Sequence, residues 1–227
     1  MKINSLCSIC IILLLASCTG FQFVALDSPL PRDQQNAFTW ENDSLKIVYR
    51  FAGANGPIKL TVFNKLKEAI SVNWKSSAVV INGQSRSLFK NIQTVDLIEG
   101  GSQHEIVDGV TWDRSRTNGT IQNENNSDII IGKTFIENSK GFLVEMRTKL
   151  PESTTKVESV LNGNLPVKKY LYKEENSPFK VDIYLSFQIE NSAKTFYISN
   201  KFWVNEMIKS GAQLSYYLPG ENRFYID

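Results

Sequence analysis

The chain has 227 residues, of which 42% are hydrophobic and 11% aromatic, and its formal net charge is +2. This composition is typical of a packed globular protein and argues against a disordered chain. A charge so close to zero gives no electrostatic reason to expect nucleic acid as a partner.

The first residues have the pattern of a secretory leader. Lys2 precedes a short apolar run that ends at Leu15, and two small residues stand before Cys18. A positive start, a short apolar segment and a small-residue cleavage site predict a signal peptide over residues 1–17. The run is shorter than the ~20 residues that a membrane-spanning helix needs.

The ending Leu15-Ala16-Ser17-Cys18 resembles the lipobox of bacterial lipoproteins. The resemblance implies cleavage before Cys18, a diacylglycerol on its sulfur and acylation of the new N terminus, so that the membrane is a partner through this anchor. Cys7 and Cys10 would leave with the leader, and the mature chain would hold no disulfide. Thr19 follows the cysteine in place of an aspartate, which by analogy with lipoprotein sorting indicates the outer membrane, facing the periplasm.

Residues 18–40 contain two prolines and several polar residues, and they predict a lipid-anchored tether. Residues 41–227 are expected to form a single domain. In its first half, apolar and polar residues alternate with period two, which predicts strands with one buried face. Asn82-Gly83 predicts a type I′ hairpin turn. The apolar positions of these strands are Leu45, Ile47, Tyr49, Phe51, Ile58, Leu60, Val62, Ile70, Val72 and Trp74.

The second half repeats this alternation, most clearly in "FKVDIYLSFQIE" and "TFYISNKFWV". Trp74 and Trp203 lie in strand patterns and are expected in the core. The segment "VNEMIKSGAQL" predicts a short helix capped near Gly211. Many short strands separated by Gly, Asn and Pro turns predict an all-β antiparallel β-sandwich. Its immunoglobulin-like form stays open, because no cysteine pair marks it.

Residues 99–128 are interpreted as one long irregular loop, of the kind that is functional or disordered in compact domains. Trp112 in this stretch, with Asp113, Arg114 and Arg116, is a candidate ligand-binding set, since an aromatic ring beside hydrogen-bonding groups suits a binding loop. The alternative is that Trp112 pins the loop onto the domain.

Catalytic and metal-binding patterns are not found in the sequence. His104 is the only histidine, and the carboxylates near it lack the spacing of a calcium loop. No nucleophile elbow, phosphate-binding loop or dinucleotide fingerprint occurs. We therefore expect no catalytic residues, no metal and no cofactor. Asp43-Ser44-Leu45 resembles a short O-glycosylation acceptor of exported Bacteroidota proteins, with Ser44 as the acceptor.

The segment from Thr61 to Ser85 resembles one found in uncharacterised lipoproteins of the Bacteroidota, on the matches Asn64, Lys65, Trp74 and Ser77. The resemblance implies an exported β-domain without a known activity. Physically, Trp74 is interpreted as a core anchor and Asn64 as a turn residue. The leading hypothesis is thus a cell-envelope lipoprotein with a non-catalytic binding or scaffolding domain and envelope proteins or glycan as partners. The alternatives are a carbohydrate- or peptide-binding module and an envelope hydrolase.

Overall fold

A computed structural model of the chain describes most of the sequence from Phe21 onward. The described residues are 21–89, 94–107, 110–122, 125–145, 148–161, 165–190, 192, 194–210 and 220–226. For residues 94–107, 110–122 and 165 the description covers the backbone alone.

The described residues form sixteen strands and no helix. The strands are β1 Phe21–Asp27, β2 Phe38–Glu41, β3 Leu45–Arg50, β4 Gly53–Ala54, β5 Pro57–Asn64, β6 Ile70–Ile81, β7 Gln84–Ser87, β8 Thr94–Val107, β9 Val110–Gln122, β10 Ser127–Ile130, β11 Phe135–Phe142, β12 Lys156–Leu161, β13 Leu165–Leu171, β14 Lys180–Ile189, β15 Thr195–Ser210 and β16 Arg223–Ile226.

Two sheets pack against each other, which confirms the predicted all-β sandwich. Sheet A has ten strands in the order β10-β6-β14-β15-β1-β16-β4, with β7 beside β6 and the β12–β13 pair beside β15. Sheet B has four strands in the order β11-β5-β3-β2. Neighbouring strands are antiparallel, apart from the short parallel contact of β16 with β4.

The core lies between the sheets, because alternate residues of both sheets point inward. The Phe202 ring lies near its centre, with its centroid 5.3 Å from that of Phe38 and 5.2 Å from that of Tyr49. The Phe51 centroid lies 5.1 Å from it. The buried Tyr49 hydroxyl accepts a hydrogen bond of 2.7 Å from Asn200 Nδ2, and burial raises the pKa of this tyrosine.

The two tryptophans predicted in the core have different environments. Trp74 is fully buried, as predicted. Trp203 is only half-buried, so its predicted core position is wrong. Its neighbours Phe202 and Val204 point into the core, and the alternation of the strand therefore turns Trp203 outward.

The tether expected over residues 18–40 is wrong from Phe21 onward. Strand β1 pairs with β15 on one edge and with β16 on the other, so it lies inside sheet A. Leu26 is fully buried, and the Gln22 side chain exchanges hydrogen bonds of 2.8 and 2.9 Å with the backbone of Leu150. The strand partners of β1 lie far along the chain, at residues 203–210 and 223–226, so the sequence around β1 does not show that it is paired.

The short helix expected around Gly211 is wrong for residues 204–210, which belong to β15. These residues pair with β1 on one edge and with β13 on the other. Two strand partners hold the backbone extended, and this tertiary pairing overrides a weak helical pattern. Residues 211–219 lie outside the described residues.

The long irregular loop expected over residues 99–128 is also wrong. Strands β8 and β9 pair antiparallel along their length, with one register shift between Gly100 and Gln103, and β10 starts at Ser127. The stretch is rich in Gly, Asn, Ser and Thr and keeps no period-two pattern. Because a ladder is made by backbone groups, such residues can pair without showing an apolar face in the sequence.

The β8–β9 hairpin leaves the sandwich at a break in an edge strand. β7 pairs with residues 78–81 of β6 and β10 with residues 70–73, while β14 pairs with the opposite edge of both segments. Between them β6 bulges. There the Ser77 hydroxyl donates to the Asn73 carbonyl at 2.6 Å and accepts from the Ser186 N–H at 3.0 Å. β7 and β10 therefore form one edge strand that the hairpin interrupts.

Replacing residues 90–124 with a short Gly-Ser linker is expected to leave the sandwich folded. The Leu88 N–H donates to the Ser77 carbonyl, and the Trp74 N–H donates to the Asn126 carbonyl. Both ends of the excursion are thus tied to β6 at positions three residues apart (77 − 74 = 3), which is at most about 10 Å. Because the hairpin forms a sheet of its own and loop entropy varies slowly with length, we expect a stability change of about 1–2 kcal/mol at most. Urea unfolding should remain one cooperative transition, and a broad or biphasic transition would contradict the insertion.

Candidate functional site

A shallow groove crosses the outer face of sheet B. Alternate residues of β3, β5 and β11 fill the core, so the residues between them point to solvent. Two adjoining depressions in this face have volumes of about 410 Å³ and 280 Å³. We call these two depressions together the outer groove. The pairing of β11, β5 and β3 places its lining residues in three rows across the strands: Phe135–Phe63–Lys46, Glu137–Thr61–Val48 and Ser139–Lys59–Arg50.

The middle of the outer groove is polar. Arg50 Nη1 donates to Thr61 Oγ1 at 2.6 Å, and the Thr61 hydroxyl donates to Glu137 Oε1 at 3.1 Å. Arg50 Nη1 lies 4.0 Å from the same carboxylate oxygen, and the Glu137 side chain is 66% exposed. An ion pair this exposed adds only ~0–1 kcal/mol to stability. The Thr61 hydroxyl instead positions the Arg50 guanidinium and the Glu137 carboxylate next to each other at the surface.

One end of the outer groove is aromatic. Phe63 of β5 and Phe135 of β11 stand directly opposite each other, with Lys46 next in the row. Phe135 is 58% exposed and Phe63 is half-buried. A contiguous exposed apolar patch bordered by polar groups is typical of an interaction site.

The arrangement suits recognition by stacking and hydrogen bonding. The rings offer flat apolar faces, and the neighbouring guanidinium, carboxylate and hydroxyl groups offer donors and acceptors within the same depression. Within the described part of the chain, no three His, Cys, Asp or Glu side chains come together in the way that a metal site requires.

A second polar cluster ties β6 to β10 and β11, with Trp74 and Lys140 buried and Asp128 and Asn138 half-buried. Trp74 Nε1 donates to Asp128 Oδ2 at 2.8 Å, and Asn138 Nδ2 donates to the same oxygen at 3.0 Å. Lys140 is 5% exposed, and its Nζ lies 4.1 Å from the Trp74 ring centroid. A buried ammonium over an indole face is stabilised by the ring electrons. The hydrogen bonds join residues of three strands, so the cluster holds β10 and β11 against β6.

A third cluster surrounds Glu152. The Tyr170 hydroxyl donates to Glu152 Oε2 at 2.6 Å, and Lys209 Nζ contacts the other carboxylate oxygen. The hydrogen bonds from Lys209 and from Tyr170 hold the pKa of Glu152 below its usual value. In return, the carboxylate raises the pKa of Tyr170 to about 12. Tyr170 of β13 and Lys209 of β15 thus both bond the Glu152 carboxylate, and they hold the segment of Glu152 against sheet A.

The candidate ligand-binding residues of the sequence all lie on β9. They are Trp112, Asp113, Arg114 and Arg116, and their backbones pair with β8 in the register of the hairpin. Their side chains lie outside the described part of the chain, so a ligand contact there stays a prediction.

Two modification sites were also predicted. Cys18 lies outside the described residues, and its lipidation stays a prediction. Ser44 is half-buried in the turn between β2 and β3, where its N–H donates to Asn42 Oδ1 at 2.8 Å. Its glycosylation likewise stays a prediction.

In the segment from Thr61 to Ser85, the residues Asn64, Trp74 and Ser77 have structural roles. Asn64 is fully buried, and its Nδ2 donates to the Glu68 carbonyl at 2.7 Å and to the Ile130 carbonyl at 2.9 Å. Asn64 was predicted in a turn but is the last residue of β5, and its side chain joins the turn that follows to β10. Trp74 and Ser77 likewise serve the core and the β6 bulge.

The outer groove is not evident from the sequence. Period-two alternation places Lys46 and Arg50 on the polar face of β3, but no pattern in the sequence predicts the strand β11. Glu137 lies 76 positions from Thr61, and only the β5–β11 register brings the two together. The exposure of Phe135, which marks the aromatic end of the groove, is visible only in the structure.

Comparison of the chain with protein families, with curated proteins and with solved structures finds no match in any of the three. Within the described ranges, no helix has the length and apolarity needed to cross a membrane.

Proposed function

We propose that this chain is a cell-envelope lipoprotein, anchored through Cys18 in the outer membrane and facing the periplasm, whose β-sandwich binds a ligand and does not catalyse a reaction. The observation that carries the binding role is the pair of outward phenylalanines, Phe63 and Phe135, beside the ordered Arg50–Thr61–Glu137 network. These side chains stand on paired strands of a packed sheet, which holds them in place before a ligand arrives. The lipobox supports the anchor.

A carbohydrate is the ligand class that this surface favours. A pyranose ring has an apolar face that stacks on an aromatic side chain, while its hydroxyls need both donors and acceptors nearby. The outer groove supplies the two rings of Phe63 and Phe135 in one row and Arg50, Thr61 and Glu137 within the next two rows. The open shape of the groove admits a chain of sugars along the sheet.

Replacing Phe63 or Phe135 with alanine is expected to weaken carbohydrate binding. An aromatic contact contributes about 0.5–1.5 kcal/mol beyond area burial, and about 1.4 kcal/mol corresponds to a tenfold change in Kd. We therefore expect a loss on the order of tenfold for each variant. Affinity electrophoresis through gels that contain soluble starch, β-glucan or xylan measures the effect as lost retardation.

Tyr197→Ala is the matched control, because Tyr197 is an exposed aromatic residue on sheet A, 67% accessible. It should be retarded as strongly as the unaltered protein. If none of the polysaccharides retards the protein, the carbohydrate assignment is wrong. If one does and both phenylalanine variants behave like the control, the ligand binds outside the outer groove.

A further inference from the structure

We infer that the carbohydrate bound in the outer groove is an acidic one, and that Lys59 and Arg50 hold the carboxylate of one of its uronic-acid units. This inference rests on the proposed function and names the class of sugar. The larger depression of the groove is lined by two cationic side chains, Arg50 and Lys59, and by one carboxylate, that of Glu137. Its formal net charge is therefore +1 (2 − 1 = 1), which favours an anionic ligand.

The two cations lie side by side. Arg50 of β3 and Lys59 of β5 are cross-strand partners, and the third residue of their row is the uncharged Ser139 of β11. Directly opposite residues on one face of a sheet have Cβ atoms about 4.5–5.5 Å apart, and like charges in such a pair repel each other. A carboxylate bound between them would offset this repulsion, because it would attract both cations.

Both cations keep hydrogen-bond donors for a ligand. Within the described residues, Lys59 Nζ donates to the Ala52 carbonyl at 3.1 Å, and Arg50 donates through Nη1 to Thr61. An ammonium group has three donors and a guanidinium has five, so most of them are available. Lys59 is exposed and the Arg50 side chain is 27% exposed, so both can be reached from solvent. The planar guanidinium suits a carboxylate, which can accept two parallel hydrogen bonds from it.

The other two rows of the outer groove do not offer such a site. In the aromatic row, Lys46 stands opposite Glu41 of β2, so a carboxylate of the protein already lies next to this cation. In the middle row, the Glu137 carboxylate would repel a second carboxylate. The acidic unit of the ligand is therefore placed at the end of the groove that holds Lys59.

The length of the groove sets a minimum size for the ligand. Phe63 lies four residues from Lys59 along β5 (63 − 59 = 4), and four residues of an extended strand span about 13 Å. A single pyranose ring is too short to stack on the phenylalanines and also reach the cation pair. The ligand is thus an oligosaccharide that stacks one unit on the aromatic row and presents the carboxylate of another unit to Lys59 and Arg50.

The test is affinity electrophoresis of the full-length protein with polysaccharides compared with and without carboxylates. Starch and β-glucan are used before and after oxidation of their primary hydroxyl groups, and glucuronoxylan before and after reduction of its uronic acids. We expect the carboxylate form of the bound polysaccharide to retard the protein several-fold more strongly than the neutral form. Raising the salt concentration should reduce this preference, because ions screen exposed charges.

Lys59→Gln is expected to lose most of the preference for the carboxylate form, since it removes one of the two cations that hold the acidic unit. Lys75→Gln is the matched control, because Lys75 is an exposed lysine on β6 of sheet A and its substitution removes the same charge. The control should keep the full preference. Circular dichroism of both variants checks that the sandwich is folded.

The possible outcomes separate this inference from the proposed function. If both forms of a polysaccharide retard the protein equally, or if Lys59→Gln keeps the preference as the control does, the acidic sugar is wrong and the carbohydrate assignment stands. If the carboxylate form alone retards the protein, the contact is ionic without stacking, and the inference is wrong. If neither form of any polysaccharide retards it, the proposed function is wrong, and the inference that rests on it falls with it.

Discussion

Replacing Trp74 with alanine is expected to lower the free energy of unfolding by about 3–5 kcal/mol. Trp74 is fully buried, so its removal opens a large cavity between the sheets. The loss also leaves Asp128 without the 2.8 Å indole hydrogen bond and removes the ring from beneath Lys140. Urea unfolding followed by circular dichroism measures the change.

Two controls separate the causes in this prediction. Trp74→Phe keeps an aromatic ring and loses the hydrogen-bond donor, so we expect a smaller loss of about 1–3 kcal/mol. Lys75→Ala changes an exposed neighbour and should stay within about 0.5 kcal/mol of the unaltered protein. A loss below 1 kcal/mol for the alanine variant would show that Trp74 is not a core anchor.

Phe202→Ala is expected to cost about 3–5 kcal/mol as well, since Phe202 fills the centre of the main core. Its ring contacts Phe38, Tyr49 and Phe51 of the opposite part of the sandwich at centroid distances of 5.1–5.3 Å. Removing it leaves these three rings without their common neighbour. The expected result is a fall in the urea midpoint with an unchanged slope, which indicates lost stability in a still cooperative fold.

Tyr197→Ala provides the comparison on the same strand. Tyr197 is exposed, and its removal should change the free energy of unfolding by no more than about 0.5 kcal/mol. Equal effects of the two substitutions would mean that the inward and outward faces of β15 have been assigned wrongly.

Much of the strand content could be predicted because its signals are local. In β14, Val181, Ile183, Leu185 and Phe187 are buried, as the alternation indicates. Asn82 and Gly83 both adopt positive φ, 48° and 84°, which is what a type I′ turn requires.

The candidate site could not be predicted in the same way. Alternation showed that Thr61 is outward in β5, but it does not say which strand lies beside β5. Glu137 and Phe135 enter the outer groove only through pairing with β11. Ser186 of β14 is a second example. Alternation predicts that Ser186 faces solvent, but it is buried and donates its N–H to Ser77 at the bulge of β6.

By itself, the sequence determined the all-β class, the inward residues of the main strands and the hairpin turn at Asn82-Gly83, because these depend on neighbours a few residues apart. The tertiary structure decided that β1 lies inside sheet A, that β15 stays extended to Ser210 and that polar residues 94–122 contain a hairpin. The physical reason is that strand pairing uses backbone groups that every residue except proline carries in full. Side-chain pattern therefore shows which face of a strand is buried, while the choice of partner strand depends on segments far apart in the chain.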